Sequence, residues 1–165
     1  MDLQSGLIKM NMAEEGMRFT DGKITTFSND VISTEQFRGS YLVIDFWATW
    51  CAPCVKEAPV YKEIAEAFSE KNIVFISVSL DHDFEVWKSF LKDREWNPTH
   101  HYWYGKSGDD PFLSIAYSAI KMTGKTFYGI TLPKYVIISP TGEILSNSGI
   151  RPGTPDFINE LRNYF

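Results

Sequence analysis

The stretch from Tyr41 to Cys54 constrains this chain more than any other. A nearly unbroken apolar run, Tyr41-Leu42-Val43-Ile44-Asp45-Phe46-Trp47-Ala48, is followed after Thr49-Trp50 by Cys51-Ala52-Pro53-Cys54. An apolar run without polar alternation reads as a central buried strand, covered on both faces. Beyond the cysteines, Val55, Ala58, Tyr61, Ala65 and Phe68 recur every three or four residues, the stripe of an amphipathic helix reaching Ser69. A buried strand therefore ends where two cysteines open a helix.

The remaining elements alternate in the same manner. Around Phe19 to Phe27, Thr20-Asp21-Gly22-Lys23 predicts a turn between short strands. Ile73–Leu80 reads as a second buried strand and Asp83–Trp96 as a helix with Phe84, Trp87, Phe90 and Leu91 on its apolar face. A short strand is expected at His101–Tyr104. Asp110-Pro111 is a helix opening, and Phe112, Ile115 and Ala119 extend the predicted helix to Ile120. Tyr135–Ile138 and Glu143–Ser146 flank Pro140-Thr141-Gly142, a hairpin signal. Thr154-Pro155 starts a last helix whose buried stripe is Phe157, Ile158, Leu161 and Phe165. Strands alternating with helices, then a hairpin and a closing helix, imply an α/β fold of three layers around a mixed sheet. At 165 residues the chain is expected to form one domain, residues 16–165, behind a flexible arm of residues 1–15.

Composition narrows the functional classes. A net charge of -5 leaves no basic footprint for nucleic acid. No stretch approaches the roughly 18 apolar residues of a membrane-spanning helix. No signal peptide is legible at the start, so the alternatives at this point are a cytoplasmic protein or one whose export signal is absent from the chain. The two cysteines are three positions apart, which excludes a multi-disulfide scaffold.

Cysteines at a helix start meet unpaired amide groups and the positive end of the helix dipole, both of which favour a thiolate. Such settings lower a thiol from about 8.5 to roughly 3.5–7.5. Cys51, at the start, is the candidate attacking sulfur; Cys54, one turn further in and more shielded, is the candidate resolving sulfur. Zinc is the competing use of the pair, with His82, His100 and His101 as conceivable ligands, but the usual histidine spacing is missing. A structural disulfide would constrain so short a loop very little. No metal and no cofactor are therefore expected beyond the cysteine pair itself.

Phe46-Trp47-Ala48-Thr49-Trp50-Cys51-Ala52-Pro53-Cys54, followed by Pro59, resembles the active-site stretch of thioredoxins. With Val55-Lys56-Glu57-Ala58-Pro59, the early hairpin and an extra segment between the two halves, the pattern is similar to the TlpA/ResA-like branch. These are bacterial thiol-disulfide oxidoreductases of the cell envelope. The resemblance runs from about Gly16 to the C-terminus, is most specific over residues 45–59, and is weak over 97–128. It implies a thioredoxin fold, a three-layer α/β/α sandwich with an N-terminal β-hairpin and an inserted segment. It implies a reductase of protein disulfides, resupplied by an upstream thiol donor that is membrane-bound, and a periplasmic or envelope location.

The resemblance also assigns residues. Pro133 corresponds to a cis-proline facing the cysteines, with Leu132 offering backbone hydrogen bonds to a substrate chain; otherwise it is simply the start of an edge strand. Asp45 lies in an apolar strand where an unpaired charge is expensive, and burial would suit it to moving a proton to or from Cys54. Glu57 resembles the acid that ResA-like proteins place near their cysteines; a solvated helix position beside Lys56 is the alternative. Trp50, Ala52 and Pro53 line the expected docking surface. Rival functions are a thiol oxidase of similar fold, a thiol peroxidase, and a non-catalytic binding module. The peroxidase lacks its expected hydroxyl residue, because Ala48 stands three positions before Cys51.

Overall fold

The computed structural model describes residues 12–105, 110–147 and 149–165. Most of the expected N-terminal arm, residues 1–11, lies outside them. Strand β3 (Tyr41–Trp47) is an interior strand of a seven-stranded mixed sheet. It runs parallel to β4 (Ile73–Ser79), which runs parallel to the short β5 (His101–Trp103). On its other side β3 is antiparallel to β8 (Lys134–Ile138), which is followed outward by β9 (Ile144–Ser146). The early hairpin, β1 (Lys23–Thr26) and β2 (Val31–Ser33), extends the sheet beyond β5, giving the order β2-β1-β5-β4-β3-β8-β9.

Alternate residues of β3 explain the layers. Val43, with Phe75, Tyr135 and Ile137, faces the helices α1 (Ala52–Ala67) and α3 (Pro155–Arg162) through Tyr61, Ile64, Phe157 and Leu161. Leu42, Ile44 and Phe46 face the other way, against Phe19, Phe112 and Ile115. Helix α2 (Phe84–Asp93) adds Trp87 and Leu91 to a third cluster, built around Trp47 and both cysteines. Asp83 caps this helix by accepting from the Glu85 and Val86 amides.

Three expectations are corrected. The N-terminal turn lies at residues 27–30, with Asn29 at φ 68°, rather than at Thr20–Lys23. There, Asp21 instead accepts from the Thr34 hydroxyl and the Arg38 guanidinium, each at 2.7 Å. Gly22 is needed for packing, since a Cβ would sit 2.3 Å from the Phe112 ring.

The predicted helix from Asp110 to Ile120 is one 3-10 turn, Pro111–Ile115, followed by a hairpin absent from the sequence reading. Its strands, β6 (Tyr117–Met122) and β7 (Lys125–Ile130), turn at Thr123-Gly124, both with positive φ, and among the described residues pair only with each other. Local capping at Asp110 holds one turn, and the β-favouring residues Thr126-Phe127-Tyr128 then decide the outcome. Phe165 is the third correction: it is 44% exposed, although its ring still meets Tyr41 and Phe68.

Lys134 joins the extra hairpin to the main sheet. Its residue is buried, and its ammonium donates to the Ser118 hydroxyl of β6 at 2.9 Å and to the Asn147 carbonyl. Burial lowers its pKa from the ordinary lysine range, partly opposed by Glu15.

Candidate active site

The redox pair lies where β3 hands over to α1. Cys51 occupies the cap position, with extended backbone (φ −90°, ψ 96°), and its amide donates to the Ala48 carbonyl at 3.0 Å. Pro53 falls in the first helical turn, where a missing N–H leaves no bond unmade. Cys51 and Cys54 form a disulfide with Cα atoms 5.3 Å apart, and the Cys54 amide donates to the Cys51 sulfur at 3.3 Å. That amide is one of the otherwise unpaired donors of the helix start, so the sulfur that would carry negative charge already has a donor in place. Both cysteines are almost fully buried, while neighbouring Trp50 is 71% exposed and Ala52 and Pro53 are exposed.

The Leu132–Pro133 peptide is cis, and the Leu132 side chain packs against the cluster containing the cysteines. The site thus brings together Cys51, Cys54, Trp47 and Leu132, with Trp50 at the rim. Trp47 is core, in contact with Phe90, Trp96 and His101. Among the described residues, no group of three or more His, Cys, Asp or Glu side chains could hold a metal ion.

Asp45 lies on the inner face of β3, opposite Tyr135 on β8 and Ser77 on β4. It is buried, and Ser77 donates to its Oδ2 at 3.1 Å; Oδ1 has no hydrogen-bond partner among the described residues. Burial pushes its pKa from 3.8 up to about 7, the Ser77 hydrogen bond holds it lower, and the Glu57 charge adds to the rise.

Glu57 is neither free nor solvated. The Arg151 side chain meets both of its oxygens, Nε at 3.0 and 3.1 Å, and the Tyr135 hydroxyl donates to Oε2 at 3.1 Å. Its pairing gives it a structural anchor 94 residues away, which spacing alone does not reveal. Tyr61 sends its hydroxyl to the Val43 and Ile76 carbonyls at 3.2 and 2.9 Å, so its hydrogen is committed elsewhere than to Asp45.

The sequence reading missed Asp81. This buried acid follows β4 and accepts from the Thr49 amide at 3.0 Å, the Thr49 hydroxyl at 2.7 Å and the Ser79 hydroxyl. The Trp103 indole donates to its carbonyl at 2.8 Å. Asp81 therefore fixes the Thr49-Trp50 loop immediately before Cys51. An acid two residues after the buried run Phe75–Ser79 is a weak signal, since its partner Thr49 is distant in the sequence.

Comparison with known proteins agrees with this geometry. Residues 39–144 match the family described as thioredoxin-like. Thiol-disulfide oxidoreductase ResA of Bacillus thuringiensis subsp. konkukian is 31% identical over 84 residues, covering 51% of this chain and 47% of that protein. The chain thus matches about half the length of this curated relative. The thioredoxin domain of a thiol-disulfide oxidoreductase from Bacteroides vulgatus superposes with a TM-score of 0.72 at 21% identity, over 92% of this chain and 98% of that one. A thiol-disulfide oxidoreductase from Bacteroides fragilis gives 0.71 at 22% identity, over 90% and 100%. At these identities the two structures speak for the fold. With the family pattern spanning well over half of its length, from before β3 into β9 and across the cysteine pair, the chain belongs to the thioredoxin-like family and is ResA-like within it.

Proposed function

We propose that this protein is a thiol-disulfide oxidoreductase that reduces disulfides of protein partners through Cys51 and Cys54. The observation that carries the reading is the disulfide at the start of α1, beside the cis Leu132–Pro133 peptide and below an exposed Trp50. In the reduced protein the Cys51 thiolate attacks one sulfur of the partner's disulfide. A mixed disulfide forms, and the partner's other sulfur leaves as a thiolate and takes up a proton. Cys54 then gives its proton to the Asp45 carboxylate and attacks the Cys51 sulfur. The partner leaves as a dithiol, and the pair, having given up two electrons, is again a disulfide.

An acid with a pKa of about 7 suits that proton transfer, because both of its forms are populated at neutral pH. Trp50, Ala52 and Pro53 form the docking surface, and the backbone at Leu132 aligns the client chain. Glu57 acts through Asp45, its charge raising that group's pKa. Resupply needs an upstream dithiol donor, and the ResA likeness supports a membrane-bound one and a setting outside the cytoplasm. No helix among the described residues is long and apolar enough to cross a membrane.

Replacing Cys54 by Ala should leave Cys51 able to attack but not to be released, so client proteins accumulate as mixed disulfides visible on non-reducing gels. Cys51→Ala should lose insulin-disulfide reduction by at least about 10³-fold, since the nucleophile is gone. Retained reduction by Cys51→Ala would overturn the proposal.

A further inference from the structure

Asp45 belongs to a row of polar residues that crosses the sheet. Strand register sets Tyr135 of β8, Asp45 of β3, Ser77 of β4 and His101 of β5 side by side, and residues paired in this way share one face. Three hydroxyls approach the acid, those of Tyr61, Tyr135 and Ser77. Tyr61 is bonded to main-chain carbonyls and Tyr135 to Glu57; among the described residues the Ser77 hydroxyl alone is hydrogen-bonded to Asp45.

Ser77 also borders open space. A cleft of about 530 Å³ lies between α1, at Ala58 and Ala65, and the segment running from Glu95 into β5, and it reaches inward to Ser77 and His101. This volume admits many water molecules, and polar groups line its inner end. His101 Nδ1 is buried with no hydrogen-bond partner among the described residues, which marks that end as polar and suited to water. We infer that Ser77 is a proton relay between Asp45 and water in this cleft, so that the buried acid exchanges protons from behind while a client covers the cysteines. The inference rests on the assignment of Asp45 as the proton-handling group.

The step balances without any further reactant. To return a proton from Asp45 to solvent, the carboxyl passes its hydrogen to Ser77 Oγ while the Ser77 hydroxyl hydrogen moves to a cleft water. Uptake is the reverse, and the serine ends unchanged in both directions. The charged and titratable groups facing this path are Glu57 and Tyr61 on α1 and Tyr135 on β8, with Lys62, Glu66, Glu95 and His100 around the cleft. Burial, with the neighbouring His100 charge, lowers His101 to about 4. Its imidazole is therefore neutral at the pH of reaction and places no fixed charge beside the relay.

The test is stopped-flow reduction of insulin disulfides by the pre-reduced full chain, from about pH 5.5 to about pH 9, in water and in D2O. Asp45→Asn should slow the reaction by about 10²-fold, the ordinary worth of a placed acid–base group. Ser77→Ala should slow it by about tenfold, enlarge the D2O effect and move the apparent pKa upward, whereas Ser77→Thr, which keeps the hydroxyl, should stay within about twofold of wild type. Ala65→Phe, which narrows the cleft without touching Asp45 or Ser77, should slow the reaction while leaving the apparent pKa in place. If Asp45→Asn is slow but Ser77→Ala and Ala65→Phe keep wild-type maximal rates and D2O ratios, the relay is wrong and the role of Asp45 survives. If Asp45→Asn itself reacts at the wild-type rate, the underlying assignment fails and the relay with it.

Discussion

Two buried aspartates lie on or just beyond the strands behind the redox pair, Asp45 in β3 and Asp81 after β4, and they are treated oppositely. Asp81, at the end of β4, accepts from an amide and two hydroxyls, so both of its oxygens are satisfied. Asp45, in the middle of β3, has one donor for two oxygens and is pushed up to about 7 by burial. Each is a carboxylate removed from water, with solvent exposure of 3% and 5% respectively. What separates them is the number of donors, because hydrogen bonds to the ionised form replace the lost hydration. The satisfied acid holds a loop in place; the under-satisfied acid is left able to change protonation state.

That contrast can be broken most forcefully at Asp45. Its folded pKa is raised above the ordinary value, so the folded chain is favoured below about pH 4 and loses that advantage as pH rises through about 7. Asp45→Asn removes the ionisable group. The variant should therefore gain on the order of 4 kcal/mol over the wild-type oxidised protein between acid and mildly alkaline pH. Urea unfolding of both proteins at the two extremes measures it, and parallel pH curves would contradict the account.

Asp81 should respond in the other direction. Asp81→Ala leaves the Thr49 amide and the Ser79 and Thr49 hydroxyls without their acceptor, and should cost about 2–3 kcal/mol at neutral pH. Faster amide exchange confined to the Thr49-Trp50 loop would locate the loss. A variant as stable as wild type would mean that water replaces the carboxylate without cost.

The smallest effect tests the link between the acids' neighbours. Because the Glu57 charge raises Asp45, Glu57→Gln should move the Asp45 titration downward, read from its carboxyl carbon by NMR. An upward movement would show that the Arg151 contact, rather than the charge, is what Asp45 senses.

The parts legible in the sequence are those whose signal is local. The apolar run of β3, the cysteines at a helix start and the apolar stripe of Phe84, Trp87 and Leu91 each depend on residues within one or two turns. Asp45 was also legible, because one acid in an apolar strand has few explanations. The cis peptide at Pro133 came through resemblance, since a proline before a strand has several uses.

Asp81 was not legible, because its partner Thr49 lies 32 residues away on a neighbouring strand end. Nor was the fate of Glu57, whose partners Tyr135 and Arg151 lie 78 and 94 residues away. The β6–β7 hairpin failed for another reason. Among the described residues it pairs only with itself, most of its residues are partly or fully exposed, and no clean alternation is imprinted on it. The spacing of Phe112, Ile115 and Ala119 therefore mimics a helix, although the chain turns at Thr123-Gly124.

Lys134 gives that hairpin a consequence of its own. The lysine follows the cis-proline directly, and its ammonium finds an acceptor in Ser118, on the first strand of the insertion. The hairpin is therefore not an interchangeable accessory. A graft from a relative, or a clean deletion with a short bridging loop, would take one of two acceptors from a buried cation and leave it the Asn147 carbonyl, directly after the cis-proline. A change in the insertion that removes the Ser118 hydroxyl is therefore felt at position 134, in the main sheet.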